Sequence, residues 1–374
     1  NVFMKLTYKT GQIKHSINKI SLAVWTDSVI KRRMSLPSVN TIHDFITRQS
    51  CFNLIAHITS RNKGNGTMNL QYIDIIDVTC QHCHSMASIR NVAIIAHVDH
   101  GKTTLVDALL RQSKTKMNKD VSETTCIMDS NELERERGIT IFSKNASVQW
   151  GDTKINIIDT PGHADFGGEV ERVLTMADGC LLLVDAKEGP MPQTRFVLKK
   201  ALEMKHRIIV VINKIDKPDA RPDYALNKVF DLFVELGADN KSLDFPVVYA
   251  AARDGKAGLK PDLSSMTDIS PIFDIIIKEV PAPESDINKP LQFLATMVSS
   301  DNFKGRIATG RIHNGIIRAG QDVAYINRDG VVKKYRLVSL MSFVGLERQD
   351  IKEASAGDII AISGIPDITI GETI

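Results

Sequence analysis

Ala96-His97-Val98-Asp99-His100-Gly101-Lys102-Thr103-Thr104 follows directly on the apolar run NVAIIA at residues 91–96. The stretch fits the pattern G-x-x-x-x-G-K-[ST] at every position but the first, where Ala96 stands for glycine. A strand that runs into such a loop and then into a helix (Leu105 to Leu110) presents consecutive main-chain N–H groups and a helix N-terminus to an anion. Gly101 lets the backbone approach closely, Lys102 would neutralise the β and γ oxygens of a phosphate chain, and Thr103 would ligate Mg²⁺. The spacing predicts a phosphate-binding loop. Ala96 is harmless there provided that it keeps ordinary φ and ψ.

Downstream, apolar runs alternate with helical patterns. Strands read at 147–150, 154–159, 180–185 (CLLLVD), 207–213 (RIIVVIN) and 245–250 (FPVVYA), with helices at 165–176, 193–204, 222–236 and 270–279. Pro222 suits a first helical turn and Gly237 a stop. Continuous apolar strands are those buried on both faces, so the expected fold class is an α/β domain with a mostly parallel, doubly wound sheet. Ligands of such sheets bind at the carboxyl ends of the strands. The remaining motifs fall there.

Asp159-Thr160-Pro161-Gly162-His163 ends one of these strands. A carboxylate at that place can hold a metal through water, and Gly162 can offer its N–H to a γ-phosphate and swing when that group leaves. Asn213-Lys214-Ile215-Asp216 ends another. An aspartate can accept two hydrogen bonds from the N1–H and N2 amino edge of guanine, a pair of donors that adenine lacks. Asp216 thereby turns a generic phosphate site into a guanine site. Each motif alone could be a solvated loop. Together, in this order, they predict a Mg²⁺-dependent GTPase that converts GTP to GDP and phosphate.

Apolar residues make up 43% of the 374 and charged residues 24%, the balance of a protein with a buried core. No run approaches the ~20 apolar residues needed to span a bilayer, and no membrane partner is expected. Five cysteines, without paired spacing in the main body, point to a reducing compartment. Charge is uneven: residues 1–88 hold ten Lys/Arg against four Asp and no Glu, whereas the rest holds 37 against 40. The basic leading segment, 1–85, sustains no period. It reads as sequence upstream of a start at Met86, as an organellar transit peptide, or as a disordered arm. Cys80-Gln81-His82-Cys83-His84 within it matches the C-x-x-C-H pattern of haem attachment, but no export signal accompanies it, and a zinc site would lack its second ligand pair. A chance match is the expectation.

The segments 96–104 (AHVDHGKTT), Arg137-Gly138-Ile139-Thr140 and Asp159 to His163 resemble the ribosome-associated translational GTPases. Met128-Asp129-Ser130-Asn131, 133–140 (LERERGIT), 162–174 (GHADFGGEVERVL), 188–198 (EGPMPQTRFVL) and 231–238 (DLFVELGA) resemble the BipA/TypA family more than LepA or elongation factor G. The resemblance runs from Ile89 to Ile374. It implies that Asp99, His100, Gly101, Lys102, Thr103 and Thr104 contact phosphates, with Thr103 on Mg²⁺. Thr140 would close on Mg²⁺ and the γ-phosphate in the GTP state, and Asp159 would support the metal. His163 would swing toward the attacking water on the ribosome, with Val98 and Ile139 holding it away beforehand. His163, Lys102 and Thr140 are thus the candidate catalytic residues. On the nucleotide side stand Gly162, Asn213, Lys214, Ile215 and Asp216, with Ala251 and Ala252. Ala251 occupies a place where the family usually carries Ser, and the Ala252 N–H is expected to reach guanine O6.

Pro281-Ala282-Pro283-Glu284-Ser285-Asp286 reads as a linker. Short β-branched runs with regular glycines follow it and predict an antiparallel β-barrel. The expected domains are the leading segment 1–85, a GTPase domain at 86–280, a linker at 281–289 and a barrel at 290–374. Gly305 to Ile312 (GRIATGRI) resembles the second domain of translational GTPases, whose further C-terminal domains are not in this sequence. The resemblance implies a monomer acting on the ribosome, through rRNA and ribosomal proteins, in large-subunit assembly and stress adaptation. It places the protein in the cytoplasm, or in an organelle if the leading segment is a transit peptide. The rival readings are a LepA-type elongation factor and a GTP-binding module without ribosome-stimulated turnover.

Overall fold

The apolar run at 91–96 belongs to a longer strand, β1 (Ser88–Ala96), whose residues are buried from Asn91 onward. The structure is a computed structural model that describes residues 88–113, 144–160 and 167–374, with the backbone of four short strands before them. It divides into two compact units, Asn1–Met86 and Ala87–Ile374. In the first, Ile20–Val24 pairs antiparallel with Arg32–Leu36, and His57–Ile58 with Ile73–Asp74. The Cys80 to His84 match, and with it most of the segment expected to be disordered, lies outside the described residues. A chain beginning at Met86 is expected to bind GDP as tightly as the full chain. With GDP its thermal midpoint should agree to within about two degrees if residues 1–85 are no part of that fold, since a disordered arm buries little area. A much lower midpoint in a melting scan would show that residues 1–85 dock on the second unit.

In that unit β1 leads through the phosphate loop into α1 (Lys102–Gln112). β2 (Lys144–Trp150) and β3 (Thr153–Asp159) form a hairpin, and α2 (Gly167–Leu174) leads to β4 (Gly179–Asp185). Next come α3 (Pro192–Glu203), β5 (Arg207–Asn213), α4 (Pro222–Glu235), β6 (Val247–Ala251), β7 (Lys256–Gly258) and α5 (Ser270–Glu279). Proline opens α3 and α4, where a missing N–H costs nothing. The seven strands lie in the order β7-β6-β5-β4-β1-β3-β2. The pairings β3–β1–β4–β5–β6 are parallel, and an antiparallel strand closes each edge. The short edge strand β7 carries no apolar run and was not expected.

The continuous apolar strands are buried on both faces for the reason anticipated. Val92 and Ile94 of β1 pack with Leu105, Leu109, Phe273 and Ile276 from α1 and α5. Ala93 and Ile95 face Val170, Leu174, Leu198 and Val229 from α2, α3 and α4. Side chains alternate along a strand, so helices on both sides follow.

From Gln292 the chain is all β: β8 (Gln292–Asp301), β9 (Gly305–Asn314), β10 (Ile316–Arg318), β11 (Asp322–Ile326), β12 (Val332–Arg336), β13 (Ser339–Val344), β14 (Glu347–Asp350), β15 (Glu353–Ser355) and β16 (Ile359–Ser363). A five-stranded antiparallel sheet runs β8-β9-β16-β13-β14, and bridges from Thr373 to Leu294 and Ile326 draw the barrel around Phe293, Ile312, Tyr325 and Ile360. The barrel does not stand apart from the α/β sheet. Ile307, Met341, Phe343, Ile359 and Ala361 join the same apolar cluster as Ala93, Ile158 and Met176. The free edge of β2 is also met by the barrel, where Ser147 and Gly345 exchange main-chain hydrogen bonds of 2.9 and 2.7 Å. That contact occupies an edge that would otherwise be a template for pairing.

Candidate functional site

The loop between β1 and α1 is shaped by two residues in the left-handed region, Asp99 (φ 64°) and Gly101 (φ 95°). A Cβ at Gly101 would lie 2.5 Å from Asn213 Nδ2, so glycine is required both by its φ and by close approach. Ala96 is the last residue of β1 and is absent from the positive-φ residues, which is why alanine can replace glycine there. α1 starts at Lys102 with neither a side-chain cap nor an acidic residue in its first turn. Its first N–H groups are left to an anion, as a phosphate cradle needs. Thr103 is half-buried and Thr104 exposed at the same helix start.

Lys102 is buried, and its Nζ lies 3.1 Å from Asp159 Oδ1 and donates to the Thr160 carbonyl. Asp159, 1% exposed, ends β3 beside β1, and the Thr160 hydroxyl donates to the Ile94 carbonyl at 2.6 Å. The lysine and the aspartate of two separate motifs therefore meet at adjacent strand ends. Thr140, Gly162 and His163, with Ile139, lie outside the described residues.

The residues expected on the guanine side reach the same loop. Asn213, at the end of β5, donates to the His100 carbonyl at 2.9 Å. Lys214 (φ 61°) donates to the Asp99 carbonyl and is 2.8 Å from Asp185 Oδ2. Ile215 N–H is held by the Ala250 carbonyl at 3.3 Å, and Asp216 is exposed to solvent. The Ala252 N–H, expected to point at guanine O6, donates to Asn213 Oδ1 at 3.1 Å. Through these two bonds Asn213 braces the two loops together.

His100 enters the site through its main chain. Its imidazole is 0% exposed beneath the loop, with Nδ1 3.4 Å from the Leu183 carbonyl and Nε2 3.4 Å from the Glu188 carboxylate. Burial lowers its pKa, against the opposing pull of the Leu183 carbonyl. Asp185 had no role in the sequence reading, although it closes an apolar strand just as Asp159 does. Burial works against its charge, but hydrogen bonds from Lys214 and the Lys187 N–H, with the Lys214 and Lys217 charges, hold its carboxyl below the ordinary carboxylate range. It anchors Lys214, which in turn grips the phosphate loop.

The donors fit a magnesium nucleotide. Among the described residues no group of three or more His, Cys, Asp or Glu gathers to hold a metal. A threonine hydroxyl and one carboxylate beside a phosphate cradle are the few protein oxygens that Mg²⁺ takes when phosphate and water supply the rest.

Comparison with known proteins agrees with this geometry. The model of the elongation factor Tu GTP binding domain matches residues 87–282, and that of elongation factor Tu domain 2 matches residues 305–374. The chain is 58% identical over 287 residues to the large ribosomal subunit assembly factor BipA of Synechocystis sp., covering 76% of this chain and 48% of that protein. It is 54% identical to a putative TypA-like chloroplastic elongation factor of Arabidopsis thaliana, covering 77% and 42%. The BipA assembly factor of Bacillus subtilis is 52% identical, over 76% and 46%. The chain thus spans about half the length of the curated relatives it matches. A crystal structure of a Thermus thermophilus protein shares the fold, with a TM-score of 0.58 at 20% identity over 77% of this chain and 54% of that one. A phosphate loop gripped from the guanine side, on a sheet of this strand order, accompanies relatives this similar along both matched domains: the chain belongs to the BipA/TypA family of translational GTPases.

Proposed function

We propose that this protein binds GTP and GDP with Mg²⁺ and hydrolyses GTP to GDP and phosphate, with the ribosome as partner and activator. One observation carries the reading. The Asn213 side chain and Lys214 Nζ of the guanine-side loop donate to consecutive carbonyls, His100 and Asp99, of the phosphate loop. A base recognised by Asp216 and a phosphate chain cradled at 99–104 are thereby fixed at one distance, which suits a single guanine nucleotide.

Mg²⁺ would be held by Thr103 and, in the GTP state, Thr140, with Asp159 behind it; when bound it supplies charge neutralisation between the β- and γ-phosphates. The chain's own residues do the rest by position and charge. Lys102 leaves its contact with Asp159 for the β and γ oxygens, and the main-chain N–H groups at the start of α1 take the remaining negative charge. Gly162 reports the γ-phosphate, and His163 orients the attacking water. The names of the bacterial relatives point to assembly of the large ribosomal subunit, and the resemblance adds stress adaptation. The partner surface is rRNA and ribosomal protein, the protein acts as a monomer, and its compartment is the cytoplasm. A chloroplast relative makes an organelle the alternative. No helix among the described residues is long and apolar enough to cross a membrane.

Base specificity provides the test. Asp216→Asn removes an acceptor and sets a donor against guanine's own donors, the pattern that favours xanthine. Loss of this charge-assisted pair is expected to cost about 2–3 kcal/mol, or roughly 30–150-fold in GDP affinity. Titration with GDP and with xanthosine diphosphate reads both effects. Equal GDP affinity in variant and parent would overturn the guanine assignment.

A further inference from the structure

Two asparagines interrupt otherwise apolar strands of the central sheet, and nothing in the nucleotide chemistry uses them. Asn91 of β1 and Asn156 of β3 are direct partners in the parallel register, 0% and 2% exposed. Asn156 Nδ2 donates to Asn91 Oδ1 at 2.8 Å and to Asp358 Oδ1 of the barrel at 3.1 Å. Asn91 Nδ2 donates to Asp178 Oδ2 and to the Gly357 carbonyl, each at 2.9 Å. Lys154, on the same face of β3, reaches both Asp358 oxygens at 2.8 Å. At the start of β4, Arg311 of the barrel lies 2.8 Å from Asp178 Oδ1 and donates to the Met176 carbonyl at 3.2 Å. Burial raises the Asp178 pKa, and the Arg311 charge opposes it.

Both barrel residues come from one corner. Arg311 of β9 pairs in register with Ile359 of β16, and the Ile312 N–H donates to the Asp358 carbonyl at 3.0 Å. Gly357 (φ 96°) turns that corner, where a Cβ would stand 3.1 Å from Pro283. The corner therefore holds the amino-terminal parts of three adjacent parallel strands at once. Their carboxyl ends carry the phosphate loop (β1), Asp159 (β3) and Asp185 (β4). Strands are stiff, and Asn156 stands only three residues, roughly 10 Å, from Asp159. A buried polar network with this many directional bonds admits fewer alternative arrangements than a greasy contact that can slide, although Asn156 Oδ1 and Arg311 Nε find no partner within it.

We propose that Arg311 and Asp358 are positioning residues for GTP hydrolysis: the barrel corner fixes the relative placement of Lys102 and Asp159 through β1, β3 and β4. The proposal rests on the hydrolytic reading above. Misplacement by a fraction of an ångström disturbs the transition state more than ground-state binding. In the full chain, Arg311→Met and Asp358→Asn are therefore expected to keep GDP affinity within about threefold and to lower single-turnover GTP hydrolysis tenfold or more. Arg311→Lys, which keeps the charge but not the fork that spans a carboxylate and a carbonyl, should fall between parent and Arg311→Met. Assays run below each variant's melting midpoint, so that unfolding does not enter. If Arg311→Met does not fold, Asp358→Asn carries the same comparison with its volume preserved. Folded variants that hydrolyse GTP at the parental rate overturn the proposal alone. So does a loss of GDP affinity equal to the loss of rate, which marks a merely structural contact. A parent chain that never hydrolyses GTP, with ribosomes or without, overturns the hydrolytic reading and this proposal with it.

Discussion

His163→Ala is expected to leave GTP and GDP affinity within about threefold of the parent while the ribosome-stimulated hydrolysis rate falls a hundredfold or more, roughly 3 kcal/mol. The asymmetry follows from when the contact is made. A group that touches neither guanine nor metal, and orients water only as the γ-phosphate departs, stabilises the transition state and leaves the ground state alone. In sequence it follows Asp159-Thr160-Pro161-Gly162, and β3 ends at Asp159 beside β1, the strand that leads into the phosphate loop. Intrinsic hydrolysis without ribosomes should change little, because the imidazole is expected to point away until the ribosome docks. Single-turnover hydrolysis at saturating ribosomes, beside a binding titration for each nucleotide, reads the two quantities separately. An undiminished stimulated rate would remove His163 from the mechanism, and a matching loss of GTP affinity would make it a binding residue.

Lys102→Met should have the largest effect on binding. Hydrogen bonds to charged groups contribute about 1.5–3 kcal/mol each. A lysine that spans β and γ oxygens makes more than one of them. A loss on the order of 3–4 kcal/mol, several hundredfold in GTP affinity, is expected. The same substitution should act without any nucleotide. Lys102 is 8% exposed and Asp159 1%, so methionine takes a buried cation away from a buried carboxylate. Removing one member of such a pair typically costs about 3–5 kcal/mol. Melting of the nucleotide-free variant should therefore come at a clearly lower temperature. A midpoint equal to the parent's would mean that the Lys102–Asp159 contact contributes nothing at rest, and unchanged GTP binding would remove Lys102 from the phosphate site.

Much of the α/β sheet was legible because its signals are local. The run at 207–213 coincides with β5, and the helix at 270–279 with α5. The helix expected at 165–176 is shorter, Gly167–Leu174 among the described residues. β7 escaped notice because three residues, Lys256–Gly258, are too few to carry a period. The antiparallel barrel was readable from its glycine spacing, but its docking was not. A Pro-rich segment at 281–286 reads as a tether between independent bodies, yet Ile307, Phe343 and Ile359 complete a core that begins in β1. The asparagines at 91 and 156 belong to no motif in the sequence, and only the fold sets Gly357 and Asp358 opposite them.

By itself the sequence determined the alternation of strand and helix and membership of the family, and it marked 96–104 as the expected phosphate contact and Asn213 and Asp216 as the expected guanine contacts. Each of these is written in consecutive residues whose spacing, φ requirement or strand-end position carries the chemistry. Only the tertiary structure decided that Lys102 rests on Asp159, that the Ala252 N–H serves Asn213, and that His100 lies beneath the loop with only its main chain toward the cradle. It alone joined Asn91 to Gly357, 266 positions apart. The reason is physical. A buried donor must find an acceptor, but which acceptor it finds depends on how separate elements pack, and no local pattern encodes a partner that folding brings from the far end of the chain.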